Sequence, residues 1–192
     1  NLYEYRWKRK EIEPKPQYAF KERISITNVK DKKILVWHEQ GYGDTIQFSR
    51  YIPLLIDRGA QITFLVQPAL LELFNNQFNC FITSSVDNNL NFDYQVPLLT
   101  LPKLFKTSIV SVPAVPKISI KPLKQLMWRK KLKFSKNKLN IGLATSGSPT
   151  QQNDHKRSMK LESIEPLLDQ GNFFLFQKDF FLPKYHYYNH NA

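Results

Sequence analysis

A single cysteine, Cys80, stands in the 192 residues, so no disulfide can form within the chain. A packed core has to hold the fold, and a reducing, cytoplasmic setting fits. No apolar run approaches the ~20 residues of a membrane-spanning helix. The first residues, NLYEYRWKRKE, lack the apolar stretch of a secretory signal. They also lack an initiating methionine, which suggests a fragment or internal piece of a longer polypeptide. Acidic residues are outnumbered 16 to 28 by basic ones, for a formal charge of +12 and a pI of about 9.7. That excess suits either a solvated lysine-rich surface or an anionic partner: nucleotide-sugar phosphate, nucleic acid or an acidic membrane surface. No RNP-like or zinc-finger spacing accompanies the basic clusters at Arg6–Lys10, Lys30–Lys33 and Arg129–Lys138, so no specific nucleic-acid partner is expected. His38, His155, His186 and His190 have no companions at metal-ligand spacing, and neither a metal nor another cofactor is expected. Cys80 reads as a core residue rather than a nucleophile. There is no internal repeat and no low-complexity tract.

What is present is 42% hydrophobic and 14% aromatic residues, enough to build a core at this length. Residues 1–30 are polar and carry Pro14 and Pro16; they read as a tail or linker whose Tyr3, Tyr5 and Trp7 dock on a neighbouring element. Strands are expected at Lys33–His38, Gln61–Val66, Cys80–Thr83 and Asp93–Val96. Between them, Asp44–Arg58 reads as an amphipathic helix with Phe48, Tyr51, Ile52 and Leu55 on one face, kinked or restarted at Pro53 and closed by Gly59. Pro68 opens a second helix. Strands alternating with helices at this pace predict an α/β fold, a Rossmann-like parallel sheet. Pro97, Pro102, Pro113, Pro116 and Pro122 mark an irregular crossing segment. Leu123–Phe134 is a basic helix that either lies on a membrane surface or packs Leu126, Met127 and Leu132 on a core, the second being the expectation. A second α/β start follows, with a strand at Leu139–Thr145, a polar loop at Ser146–Arg157, a helix at Leu161–Asp169 and a strand at Asn172–Gln177. The organisation read is thus a linker over 1–30, a Rossmann-like domain over 31–122, a connecting helix over 123–138, a partial Rossmann-like domain over 139–178 and an irregular tail over 179–192.

The most informative stretch is Ile34–Leu55, ILVWHEQGYGDTIQFSRYIPLL, in which an apolar run ends in a Gly-x-Gly turn and Asp44 opens the helix. This is the ligand-facing corner of an α/β domain. Residues 38–70, 92–105 and 140–168 together resemble the heptosyltransferase-type glycosyltransferases, most closely the branch that follows tetratricopeptide repeats in bacterial proteins. Glu-Gln-Gly-x-Gly-Asp followed by Gln-Phe-x-Arg-Tyr is the most specific block, and YEYRWKRKE is similar to the segment joining the last repeat to the enzyme domain. The resemblance implies a GT-B architecture: an acceptor-side and a donor-side Rossmann-like domain, with inverting, metal-independent transfer from a nucleotide sugar to a glycan or protein acceptor.

Carried over, Asp44 is the general base; read from the sequence alone it is an N-cap. Glu39 binds the acceptor or orients the loop, or is a surface acid. Gly41 and Gly43 permit a turn that side chains would block, and their bare amides face a ligand. In the second block, Thr145 and Ser146 at the strand end, Arg157 before the helix and Lys178 are the candidate contacts of the donor diphosphate, with a solvated loop arginine as the plain alternative for Arg157. Arg50 reads as solvated. Thr145-Ser146-Gly147 departs from the Trp-Ala-Gly common in that branch, and Lys160 stands where the family has proline. Nothing in residues 179–192 resembles the family's Asp-Thr-Ser-x-x-Ala-His-like donor block. The chain alone is therefore expected to be inactive: a truncated product, a fragment, or half of a split enzyme whose partners are tetratricopeptide repeats or a missing half-domain. A non-catalytic interaction module of the same fold and a basic nucleic-acid-binding protein are the alternatives.

Overall fold

A computed structural model describes residues 2–8, 26–39, 41–87, 91–147 and 153–176. Outside these lie Pro14, Pro16, Gln40, Lys178, the His186–His190 pair and the tail over 179–192. The chain divides into two compact units, Asn1–Ile120 and Lys121–Ala192.

The first unit is built on four parallel strands, β1 (Lys33–Trp37), β2 (Gln61–Leu65), β3 (Phe81–Thr83) and β4 (Tyr94–Pro97), in the order β3-β2-β1-β4. Each lies where the apolar runs predict a strand. β1 is flanked on both sides, in register Lys33 to Gln61 and Ile34 to Tyr94. Side chains alternate across a strand, and here both faces are buried. Ile34 and Val36 join Ile62, Phe64, Tyr51, Ile52, Leu55 and Phe74 in the main core. Leu35 and Trp37 face the other way, with Leu65, and are covered by Trp7, Val86 and Phe92. A strand buried on both faces reads as an unbroken apolar run, which is why KILVW shows no alternation.

The helix expected over residues 44–58 is three pieces: α1 (Tyr42–Phe48), a 3-10 turn (Ser49–Tyr51) and α2 (Ile52–Ile56). Pro53 supplies the reason. It has no N–H to offer the Ser49 carbonyl, which instead accepts from the Ile52 N–H one residue earlier, the tighter 3-10 spacing. Tyr51, Ile52 and Leu55 are buried as the helical face predicts. Gly59 then ends the element in the left-handed conformation (φ 81°). Pro68 opens a 3-10 turn that leads into α3 (Leu71–Phe74), and Cys80 packs half-buried against the main core just before β3. Burial pushes the Cys80 thiol up to about 12, which removes it as a nucleophile at neutral pH. The proline-marked segment holds only α4 (Leu101–Leu104) and short 3-10 turns. Arg50 is not simply solvated: it donates to the carbonyls of Gln47 (2.7 Å) and Pro113 (3.1 Å), tying the end of α1 to this segment.

The second unit holds α5 (Pro122–Lys131) and two parallel strands, β5 (Leu139–Leu143) and β6 (Gly171–Leu175). Leu161–Gln170 is a 3-10 helix rather than the expected α-helix, with Pro166 inside it. The expectation that Leu126 and Met127 pack on a core is overturned, for no residue of α5 is buried. Its apolar stripe is three residues wide and ends at Lys130, too narrow to seat a ten-residue helix on a core. Among the described residues no helix is long and apolar enough to cross a membrane.

Phe64 is fully buried, with Phe74 and Phe78 at ring-centroid distances of 5.5 and 6.4 Å. Phe64→Ala is expected to cost about 3–5 kcal/mol of stability. Phe81→Ala, at an exposed position, is expected to stay within about 0.5 kcal/mol of the native chain. Urea unfolding of the two variants checks both.

Candidate functional site

The chain runs outward from β1 through β2 to β3 and then returns to place β4 on the other side of β1. The loops leaving the carboxyl ends of β1 and β4 therefore diverge, and the crevice between them is the topological switch point where open α/β sheets receive ligands. Glu39 leaves β1 on one side of it; Leu98–Thr100, a 3-10 turn, leaves β4 on the other.

Glu39 is no surface acid. Its side chain is 4% exposed and is held by a fork from Arg6: Nε donates to Oε2 at 2.8 Å and the terminal nitrogen Nη2 to Oε1 at 2.9 Å. Oε1 also accepts from the Leu99 backbone N–H at 3.0 Å. The Arg6 guanidinium reaches further, to the Thr100 hydroxyl (2.9 Å) and to Glu4 (2.8 Å). Glu4 and Arg6 come from one short segment, while Glu39 and Thr100 lie 33 and 94 residues beyond Arg6 in sequence. Leu2–Lys8, read as tail, is a 3-10 helix that lays Arg6 into the switch-point crevice and stands Trp7 edge-on to Trp37 at 5.6 Å. Tyr3 and Tyr5 stay largely exposed, with the Arg6 guanidinium 4.4 Å from the Tyr3 ring centroid. Burial pushes the Glu39 carboxyl up against the pull of Arg6. At Glu4 burial acts the same way but is outweighed, and hydrogen bonds from Arg6 and Thr100 hold its carboxyl below the usual range. His38, beside Glu39, is shifted down by burial and so favours its neutral form. A recess of about 480 Å³ adjoins the cluster, lined by Tyr3, Glu4, Phe48, Leu99, Lys103 and Thr107 among others.

Asp44 is not the N-cap of α1. That position belongs to Gly41, and Asp44 lies three residues inside, its Oδ2 accepting from the Gly41 N–H at 3.2 Å. This is the returning half of a capping box. The neighbouring Thr45 is buried and donates its hydroxyl to Gln67 Oε1 at 2.9 Å, which locks the first turn to the loop after β2. The glycines differ from expectation as well. Gly41 has φ −67° and ψ 167°, a conformation open to any residue, and a Cβ on Gly43 would meet nothing within 4 Å. Neither is required by the turn. Both are exposed, and they leave positions 41 and 43 without side chains on either side of the exposed Tyr42.

In the second unit the segment following β5 folds back on itself. Thr145 is buried and its carbonyl accepts from the Met159 N–H (2.9 Å), while the Gly147 N–H donates to the Ser158 hydroxyl (3.2 Å). Arg157 Nε donates to Asp154 Oδ1 at 3.3 Å, and the Arg157 side chain is about half exposed. Hydrogen bonding from Ser158, then from Arg157, holds the Asp154 carboxyl low. A Cβ on Gly147 would meet the ends of the Arg157 and Asp154 side chains, so a larger residue there would push this pair aside. The strand end carrying Thr145 and Ser146 and the loop carrying Arg157 are thereby brought together; Lys178 lies outside the described residues. Among the described residues no group of three metal-ligating side chains gathers.

Comparison with known protein families, with curated proteins and with solved structures returns no match. The residues of these clusters that sequence reasoning missed are Arg6 and Leu99, which hold Glu39, Glu4 and Thr100, which bond Arg6 in turn, and Gly147 with Ser158.

Arg6→Ala leaves a buried carboxylate without its cation and is expected to cost about 3–5 kcal/mol near neutral pH. In that variant Glu39 sits higher still, so its protonated form is the one that folds well. Such a raised group contributes stability below the ordinary glutamate value of 4.5, and loses it as the pH climbs through the folded-state value. The deficit of Arg6→Ala against the native chain is therefore expected to shrink on acidification. Glu4 works in the opposite sense in the native chain: its contribution is present above 4.5 and is lost as the pH falls through its lowered value. Adding Glu39→Gln to Arg6→Ala should recover part of the loss at neutral pH. Denaturant midpoints across pH measure all three effects, and a deficit that grows on acidification contradicts this account.

Proposed function

We propose that the first unit is the acceptor-side domain of an inverting, metal-independent glycosyltransferase of the heptosyltransferase type, with Asp44 as its general base. The observation that carries the reading is the contrast between two acids on one corner. Glu39 is buried, with both oxygens engaged by Arg6 and Leu99. Asp44 is half-exposed, with one oxygen on the Gly41 amide and no paired cation among the described residues. It is the acid of this corner that is able to meet a ligand. In the proposed reaction the Asp44 carboxylate takes the proton from an acceptor hydroxyl while that oxygen attacks the anomeric carbon. The nucleoside diphosphate leaves from the opposite face, and the anomeric configuration inverts. Side-chain-free Gly41 and Gly43 leave the acceptor room to approach.

The second unit, in this reading, supplies the start of a donor-side domain in a GT-B pair. Thr145 and Ser146 lie at the strand end, and Arg157 offers a cation to the leaving diphosphate. Lys178 is a further proposed contact. Arg157 would exchange Asp154 for the phosphate. The donor is a nucleotide-diphosphate sugar and the acceptor a glycan or protein. Tetratricopeptide repeats or a further half-domain are the proposed neighbours, and the chain alone is expected to lack turnover.

The test is binding and transfer by the purified chain with a panel of nucleotide-diphosphate sugars and glycan acceptors. Where transfer or donor hydrolysis is seen, Asp44→Asn is expected to lower it by roughly 10²–10⁴-fold; turnover unchanged by Asp44→Asn removes the base assignment. Gly43→Ala separates the structural from the functional role of this position. Within the first turn of α1 it is expected to raise stability by roughly 0.5–1 kcal/mol while weakening acceptor binding. A folded chain that binds neither donors nor glycans contradicts the proposal. The filling of the switch point by Glu4 and Arg6 favours a second reading, a binding module without turnover, which retained glycan binding with no transfer in a completed, full-length polypeptide would mark.

A further inference from the structure

Between Asp93 and Asp154 the sequence contains no acidic residue and eleven lysines and arginines. Eight of the eleven fall between Lys121 and Lys138, in the second unit, and every one of the eight is exposed. In the same stretch α5 presents Leu123, Leu126 and Met127, 71%, 55% and 63% exposed, at the spacing that lines one side of a helix. The stripe runs on to Lys130, and Phe134 is exposed just beyond the helix. Trp128 is half-buried, with the Lys131 ammonium 5.2 Å from its ring centroid.

We propose that α5 and the segment following it, Lys121–Lys138, form a docking surface for an anionic lipid bilayer. Cations and exposed aliphatic side chains occur together here, and a bilayer is the partner that uses both. Leucine and methionine side chains sink into the boundary between headgroups and acyl chains. Lysine and arginine stems bury their methylenes and keep their charges at the level of the lipid phosphates. A nucleic acid would satisfy the cations and leave Leu123, Leu126 and Met127 in water. A second copy of the chain would cover the aliphatic side chains but set eight cations against eight. The absence of any carboxylate on the segment is what an acidic lipid surface selects, since each basic residue near such a surface strengthens association about fivefold.

The experiment uses the whole chain, floated with phosphatidylcholine vesicles or with vesicles containing phosphatidylglycerol, at low and high salt. Association with the anionic vesicles alone, weakened by salt, is expected. Arg129→Gln, Lys130→Gln and Lys131→Gln combined should lower it on the order of a hundredfold. Leu123→Ser, Leu126→Ser and Met127→Ser combined, which leave the charge intact, should lower it about tenfold or more. All six positions are on an exposed or half-exposed helix surface, and circular dichroism verifies that both variants stay folded. The proposal is overturned if the native chain ignores anionic vesicles, or if either folded variant binds them as well as the native chain. It is overturned equally if the serine variant is the one that binds normally and RNA displaces the vesicles, the pattern of a nucleic-acid surface.

Discussion

The buried ion pair between Arg6 and Glu39 is the contact on which the rest of the first unit depends. β1 is the central strand of a parallel sheet, and the loops beyond it and beyond β4 run apart. Glu39 bridges that gap by accepting the Leu99 N–H from the far side. A carboxylate placed so deeply is expensive without a counter-ion, and Arg6 supplies one in forked geometry. An apolar pair of equal volume would fill the same space, but it would not join the two loops, because it offers the Leu99 N–H and the Thr100 hydroxyl nothing to bond. The ion pair also fixes the segment that carries it: with Arg6 anchored, Trp7 closes the second face of the sheet over Leu35 and Trp37. Trp37 in turn donates its indole N–H to buried Gln95 at 2.8 Å, so the polar contacts and the apolar face reinforce one another along β1 and β4.

Much of this architecture is legible in the residues. Four apolar runs separated by helical periodicity predict four parallel strands, and parallel strands are the ones whose burial on both faces leaves so plain a mark. Helix boundaries are less legible. The apolar face over Phe48–Leu55 is continuous, yet Pro53 withholds one N–H and the backbone resolves the conflict by tightening into a 3-10 turn ahead of it. Periodicity records which side chains share a face and not whether anything lies against that face. This is why Leu126 and Met127 were expected in a core and stand in solvent instead.

The candidate site divides in the same way. Gly-x-Gly-Asp after an apolar run is a local pattern, and it locates Asp44 at a helix start to within the difference between N-cap and third residue. The burial of Glu39 has no local signature. Its cation lies 33 residues earlier, in a charged stretch that reads as tail, and its amide donor lies 60 residues later. Long-range polar contacts of this kind have no period to detect. The converging Gly147, Asp154, Arg157 and Ser158 are intermediate: their residues fall in one short window, but only the fold-back of the loop shows that Gly147 lies against the Arg157–Asp154 pair and Ser158.

In the proposed reading, the two acids of the corner divide structural from chemical duty within one loop. A base has to keep a lone pair available and stay within reach of a ligand. Glu39 fails on both counts, since three donors converge on its two oxygens and little of it meets solvent. Asp44 gives one oxygen to the Gly41 N–H, enough to hold the carboxylate in place on the first turn of α1, and its position is half-exposed. The glycines on either side of Tyr42 follow from the same division. Neither backbone conformation demands glycine, and in a helix start alanine would be the more stable choice at position 43. A sequence that forgoes that stability beside its one available acid leaves open the space that an acceptor hydroxyl needs, and in the proposed reading that space is what these glycines are for.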